Sequence, residues 1–179
     1  MNIVIRPAIP SDAPHVAEVL MRAWEVAYPD IMPTEYIQER NGLRPEQYMQ
    51  RLADDDNTYY VFCDGERIVG YMRIVDAPKD DTVDSSAFDL EQIYLHPEYW
   101  HQGIGTQALA FAFDLTRDAG KSEMTVWVLA QNTSAIAFYK KAGSLPTAQS
   151  ATGTMAKCLR AFECGRCYNP CHRAQLVSK

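Results

Sequence analysis

The chain has 179 residues, 47% hydrophobic and 22% charged, with a formal net charge of −6 at pH 7, which makes one ordinary globular domain with room for a real core. The negative charge argues against nucleic acid as a partner and mildly favours a cationic, amine-bearing one through long-range steering. No apolar run approaches the ~20 residues that span a bilayer, and the start, MNIVIRPAIPSD, lacks a basic stretch followed by an apolar one, so no membrane anchor or signal peptide is expected and the chain reads as cytoplasmic.

In chain order the patterning predicts β-α-α-β-β-β-α-β-α. Ile3 to Arg6 alternates as an edge strand, and Ser11-Asp12 caps a helix to about Tyr28 with Val16, Val19, Leu20, Ala23 and Trp24 on one face. A broken second helical region follows Pro33 and resumes at Pro45. Tyr59 to Cys63 and Ile68 to Val75 read as strands joined through Asp64-Gly65, a hairpin signal that Glu66 and Arg67 can lengthen. An acidic linker, Asp76 to Asp84, leads into a strand from Phe88 to Leu95. A helix from Gly105 to Ala119 then crosses to a strand from Met124 to Leu129, which makes those two strands parallel neighbours.

Two segments carry chemistry. The first is LEQIYLHPEYWHQGIGTQAL, where the strand residues Ile93, Tyr94 and Leu95 run through a short loop into His101-Gln102-Gly103-Ile104-Gly105-Thr106 and directly into a helix. Glycines let backbone approach a ligand and adopt positive φ, and the helix's first amides and dipole then face a negative group such as a pyrophosphate. No Lys-Ser/Thr pair follows Gly105, as a Walker phosphate loop would need. On its own such a turn equally suits a plain strand-to-helix connection. The second segment, Asn132 to Gly143, is a helix with Asn132 or Thr133 as N-cap, Ala135, Ile136, Phe138 and Tyr139 at helical spacing, and Gly143 as terminator.

In that order the two segments resemble the GNAT superfamily of N-acetyltransferases, whose glycine-turn motif is followed by a strand and an N-x-x-A-x-x-F-Y-x-K-x-G helix. The likeness is close over residues 88 to 143 and looser over the N-terminal part, where AWEVAYPDIMPTEYI looks like acceptor-side helices. One departure is Trp100, which stands where the family usually has Gln or Arg three residues before the first motif glycine. The resemblance implies an α/β fold with a mixed central sheet flanked by helices, and acetyl transfer from acetyl-CoA to a primary amine by direct attack, with no metal. It implies cofactor contacts from Ile93, Tyr94, Leu95, His101, Gln102, Gly103, Ile104, Gly105, Thr106, Asn132, Ala135 and Tyr139, the pantetheine arm lying between two splayed strands. Tyr139 is the expected proton donor to the leaving thiolate, against a packing role only. Glu91 is the expected base, directly or through water; Asp89, two residues away on the same strand face, is the alternative. His96 and His101 flank the loop and read as contacts more readily than catalysts. The acceptor stays open between small molecules and peptides, and a homodimer stays open too. A non-catalytic acyl-CoA sensor is the competing function.

After Gly143 the patterning fails. Residues 144–179 carry four of the five cysteines, Cys158, Cys164, Cys167 and Cys171, with His172 nearby. A zinc knuckle is one reading, and a cytosolic disulfide cluster is a poorer one. A third comes from back-translation. Read one base early from the third base of the Gly143 codon, with synonymous codons chosen freely, the stretch permits AGFIADGTKRHGHDGKVLESIRMRKML and a stop, restoring a Phe after Ala-Gly, a turn and an alternating strand. The sequence thus divides into an acetyltransferase domain over 1–143 and an out-of-frame tail over 144–179, expected to be irregular, to leave the strand at Met124 to Leu129 without proper partners, and to impair activity.

Overall fold

The computed structural model describes residues 2–54, 58–76, 87–121, 123–142, 145–149 and 155–161, the last two as backbone alone. The acidic linker beyond Asp76, the terminator Gly143 and the cluster of Cys164, Cys167, Cys171 and His172 lie outside the described residues. The elements are β1 (Ile3–Pro7), α1 (Ala13–Ala27), α2 (Thr34–Ala53), β2 (Tyr59–Asp64), β3 (Arg67–Asp76), β4 (Ala87–Leu95), α3 (Ile104–Asp118), β5 (Glu123–Leu129), α4 (Thr133–Lys141), β6 (Leu145–Gln149) and β7 (Met155–Ala161). The strand order is β1-β2-β3-β4-β5-β7-β6, a mixed sheet flanked by helices, as expected. Two compact units divide the chain, one of Met1–Ile74 with Glu91–Ala112, the other of Val75–Leu90 with Phe113–Lys179, so that β4 and α3 each contribute to both.

In the first unit β1, β2 and β3 are antiparallel, with Arg6 opposite Val61 and Val61 opposite Tyr71. The hairpin turn is Gly65 and Glu66, with Asp64 paired to Arg67. Alternation sends Tyr59, Val61 and Tyr71 to one face of the strands, where they form a buried cluster with Val16, Val19 and Leu20 of α1 and Tyr48 and Leu52 of α2. Each such side chain contributes about 1.5–3 kcal/mol through burial. The apolar stripe read from α1 is this contact: Val16, Val19, Leu20 and Ala23 are buried, and Trp24 packs at its margin.

Two local expectations are corrected. The second helical region is one continuous helix with Pro45 inside it. A mid-helix proline costs about 3 kcal/mol, and the offset comes from α1: Ile37, Tyr48 and Leu52 are buried, while Asn41 Nδ2 donates to Met21 O at 3.4 Å and Arg44 Nη1 to Leu20 O at 3.2 Å. Asp12 does not cap α1 with its side chain. A short 3-10 turn at Pro10–Asp12 precedes the helix, and the carboxylate turns back to accept from Arg6 Nη1 and Nη2 at 2.7 and 3.0 Å and from Ile9 N at 2.9 Å.

In the second unit β4 and β5 pair in parallel from Ala87↔Glu123 to Leu90↔Val126, as a helical crossover requires. The expected irregular tail is corrected over its described stretches, 145–149 and 155–161. Backbone of Met155–Ala161 pairs antiparallel along the whole of β5, from Glu123↔Ala161 to Leu129↔Met155, and β6 pairs with β7. An open strand edge presents a row of unpaired N–H and C=O groups, and backbone pairing there makes weak demands on side-chain pattern. A segment with poor alternation can therefore still complete the ladder.

Candidate active site

The first unit holds the glycine turn and the second half of β4. Gly70 of β3 explains how tightly β4 lies against it: a Cβ there would sit 2.5 Å from Leu95 Cδ2 and from Phe62 Cδ2, and 2.8 Å from the Tyr94 carbonyl oxygen. His96 N continues the contact, donating to Val69 O at 2.8 Å. From Glu91 to Leu95 every residue of β4 is half-buried. Beyond it, Trp100 Nε1 donates to Leu95 O at 2.8 Å and Gln102 Nε2 to Glu98 O at 2.7 Å. The departure at Trp100 thereby acquires a role, since the indole ties the loop back to the strand's last carbonyl.

The turn then reverses handedness. His101 has φ 60° and Gly103 φ 82°, and α3 starts at Ile104, its first helical bond running from Gln107 N to Gly103 O at 3.1 Å. The amides of Ile104, Gly105 and Thr106 precede that bond and have no acceptor within the helix, the arrangement that receives an anion. Nothing lies within 4 Å of a Cβ built on Gly103, so the glycine is there for its backbone conformation and not for packing. Ile104 is buried and anchors the start of α3, Gly105 is half-buried, and His101, Gln102, Gly103 and Thr106 are exposed. A helix start whose first amides lack helical acceptors, beside an exposed glycine turn, suits a pyrophosphate.

Under α2 the same unit builds a polar chain that sequence reasoning missed. The Tyr48 hydroxyl lies 2.8 Å from that of Tyr71 and 3.0 Å from Gln92 Oε1, Tyr94 stacks on Tyr71 at 5.7 Å, and Tyr48 meets the Tyr59 ring edge-on at 6.1 Å. Burial pushes the Tyr48 phenol up to about 12 and that of Tyr71 well above its ordinary value. Both stay neutral hydrogen-bonding groups near pH 7. Glu91 forms an ion pair with Arg73, whose guanidinium lies 5.1 Å from the Tyr59 ring centre. His96 is occupied locally, its Nδ1 accepting from Glu98 N at 3.4 Å.

In the second unit Asp89 is 1% exposed and accepts from the Thr125 hydroxyl at 3.1 Å, Thr125 being its partner in the β4–β5 register. The two carboxylates proposed for one face of β4 thus have different surroundings, Glu91 half-buried and Asp89 enclosed. Asn132 is the N-cap of α4, its Oδ1 accepting from Ala135 N at 3.0 Å. Tyr139 is 6% exposed and sits edge-on to Phe138 at 5.2 Å. Among the described residues no group of His, Cys, Asp or Glu is arranged to hold a metal, and no helix is long and apolar enough to cross a membrane.

Residues 14–143 match the Acetyltransferase (GNAT) family. The chain belongs to that family. It is 25% identical over 149 residues to a spermidine N(1)-acetyltransferase of Thermoplasma acidophilum, covering 80% of this chain and 88% of that one. It is 34% identical over 86 residues to an uncharacterised N-acetyltransferase of Lactobacillus delbrueckii subsp. lactis, a match to about half of each chain, 48% and 49%. Among solved structures it resembles the PaiA N-acetyltransferase of Thermoplasma acidophilum in complex with coenzyme A, with TM-score 0.77, 22% identity and coverage of 90% of this chain and 100% of that one. It also resembles YncA of Salmonella typhimurium with its cofactor acetyl-CoA, with TM-score 0.65, 19% identity and coverage of 96% and 100%. At these identities the structural likenesses speak for the fold.

Proposed function

We propose that this GNAT-family chain transfers acetyl from acetyl-CoA to a primary amine by direct attack. The observation that carries the reading is the turn at His101 and Gly103, whose positive φ values lead directly into α3, leaving that helix's first amides without helical acceptors. Those amides would hold the pyrophosphate, with Gln102 and Thr106 beside them, and the half-buried backbone of Ile93 to Leu95 would take the pantetheine arm as an added strand. Acetyl-CoA supplies the acetyl group. Glu91 receives a proton from the acceptor's ammonium, directly or through water, so that the nitrogen lone pair can attack. Tyr139 gives a proton to the departing sulfur, and Asn132 and Ala135 shape the start of the helix that carries it. A small-molecule amine is the favoured acceptor, in line with the spermidine N(1)-acetyltransferase among its relatives. Thiol release from acetyl-CoA, measured with a panel of amines, tests the assignment; cofactor binding without transfer to any amine would mark a sensor instead.

We propose further that residues 144–179 are translated out of frame and leave the chain weakly active. The back-translated reading supports this, because a Phe, a turn, an apolar strand and a stop arise in order. Sequencing the gene across codons 140 to 170 decides it: a restored frame should raise turnover, and a gene that permits no alternative frame refutes it.

A further inference from the structure

Exposed ion pairs are common on this surface and carry little information. Arg67–Glu98, for example, has side chains 53% and 65% exposed, where solvent and salt screen the attraction. Arg73 and Glu91 differ in that they are 31% and 24% exposed and join neighbouring strands. The arginine is held on three sides. Its Nη1 donates to Glu91 Oε2 and its Nε to Thr58 Oγ1 at 3.3 Å, and its guanidinium carbon lies 5.1 Å from the ring centre of Tyr59, the residue directly opposite it in the β2–β3 register. Thr58 is fixed in turn, since its carbonyl accepts from Ile74 N at 2.9 Å. A planar guanidinium clamped at Nε and over a ring has little freedom left, so the carboxylate it grips has little either.

We propose that Arg73 is a positioning residue for Glu91, holding its carboxylate in the single orientation that receives the acceptor's proton. The inference rests on the reading of Glu91 as the base. A mobile glutamate side chain loses rotamer entropy when it is fixed in one place, and misplacing a reacting group by an ångström can cost about 10²-fold in rate. Arg73 meets the first requirement before the acceptor arrives. Its role is to orient the carboxylate, and it takes no proton itself.

The test is a kinetic cycle in the full-length chain with Arg73→Met, Glu91→Gln and the double variant. Saturating acetyl-CoA and the best amine from the acceptor panel are used, with calorimetric acetyl-CoA affinity measured alongside. Glu91→Gln should lower kcat by about 10²-fold or more. Arg73→Met should lower it by about tenfold or more with cofactor affinity unchanged, and the double variant should be no slower than Glu91→Gln alone. Arg73→Lys, which keeps the charge but loses the Nε bond to Thr58, should fall between wild type and Arg73→Met; it also replaces Arg73→Met in the cycle if that variant does not fold. A double variant slower than Glu91→Gln by the full Arg73→Met factor, or an Arg73→Met enzyme with wild-type kcat, overturns this proposal while leaving Glu91 as base. Near-normal turnover in Glu91→Gln overturns the base assignment and this proposal with it.

Discussion

The Tyr48 hydroxyl bridges Tyr71, 2.8 Å away, and Gln92, 3.0 Å away, so one buried phenol links α2 to two strands of the sheet. Because Tyr48 donates to the Gln92 carbonyl oxygen, the Tyr71 hydroxyl must donate to Tyr48. Tyr48→Phe leaves both neighbours short of a partner, at a cost of about 1–3 kcal/mol. Urea denaturation should show a lower midpoint at an unchanged slope. The same burial sets a pH dependence. The Tyr48 phenol sits at about 12 in the folded chain, above its unfolded value near 10, so its stabilising contribution is complete below pH ~10 and is lost as the pH rises toward 12. Tyr48→Phe should flatten the loss of stability in that alkaline range.

Asp12 gives the opposite sign. Burial alone would raise its carboxyl, but hydrogen bonds from Arg6 and the Ile9 amide outweigh burial and hold it below the usual carboxylate range. A depressed folded pKa contributes stability above the unfolded value near 3.9, and that contribution is lost as the pH falls through the folded value. Asp12→Asn should therefore be less stable than wild type at pH 7, and the gap should narrow as acid titrates the wild-type carboxylate. Thermal melts between pH 7 and 2 check this; a constant gap would contradict it.

At the glycine turn, Gly105→Val should abolish acetyl-CoA binding with the fold largely intact, because the added side chain would stand in the first turn of α3, where the pyrophosphate is proposed to bind. Gly103→Ala should weaken binding for a different reason: φ 82° costs a residue bearing a Cβ roughly 1–2 kcal/mol, although no atom stands in its way. Calorimetric titration with acetyl-CoA distinguishes these outcomes from an unchanged affinity, which would remove the turn from the cofactor site.

Tyr139→Phe keeps the ring that packs edge-on to Phe138 and removes only the hydroxyl. Turnover should fall about 10²-fold or more while acetyl-CoA affinity stays put. Near-normal turnover would reduce Tyr139 to a packing residue.

Much of this was legible from local patterning. The stripe of Val16, Val19, Leu20 and Ala23 announces α1 because a helix repeats its face every three to four residues, and all four are buried. The parallel pairing of β4 with β5 follows from the helix between them. Less legible was whatever depends on partners distant in sequence. Pro45 reads as a break because nothing near it reveals that Asn41 and Arg44 hold α2 to the carbonyls of Met21 and Leu20. Asp89 and Glu91 look equivalent two residues apart, yet Thr125 encloses one and Arg73 grips the other. The pairing of β7 with β5 was hidden for a related reason, since an open edge supplies the hydrogen bonds that a poorly patterned segment cannot signal.

Acetyl transfer from acetyl-CoA to a primary amine leaves a product that can be weighed. The purified chain is incubated with acetyl-CoA and each amine of the panel, and mass spectrometry follows the amine while free thiol is counted. An acetylated amine should appear one-for-one with free coenzyme A, about 10²-fold more slowly or worse in Tyr139→Phe. Acetyl-CoA bound but left intact with every amine, or thiol released without any acetylated amine, would contradict that transfer.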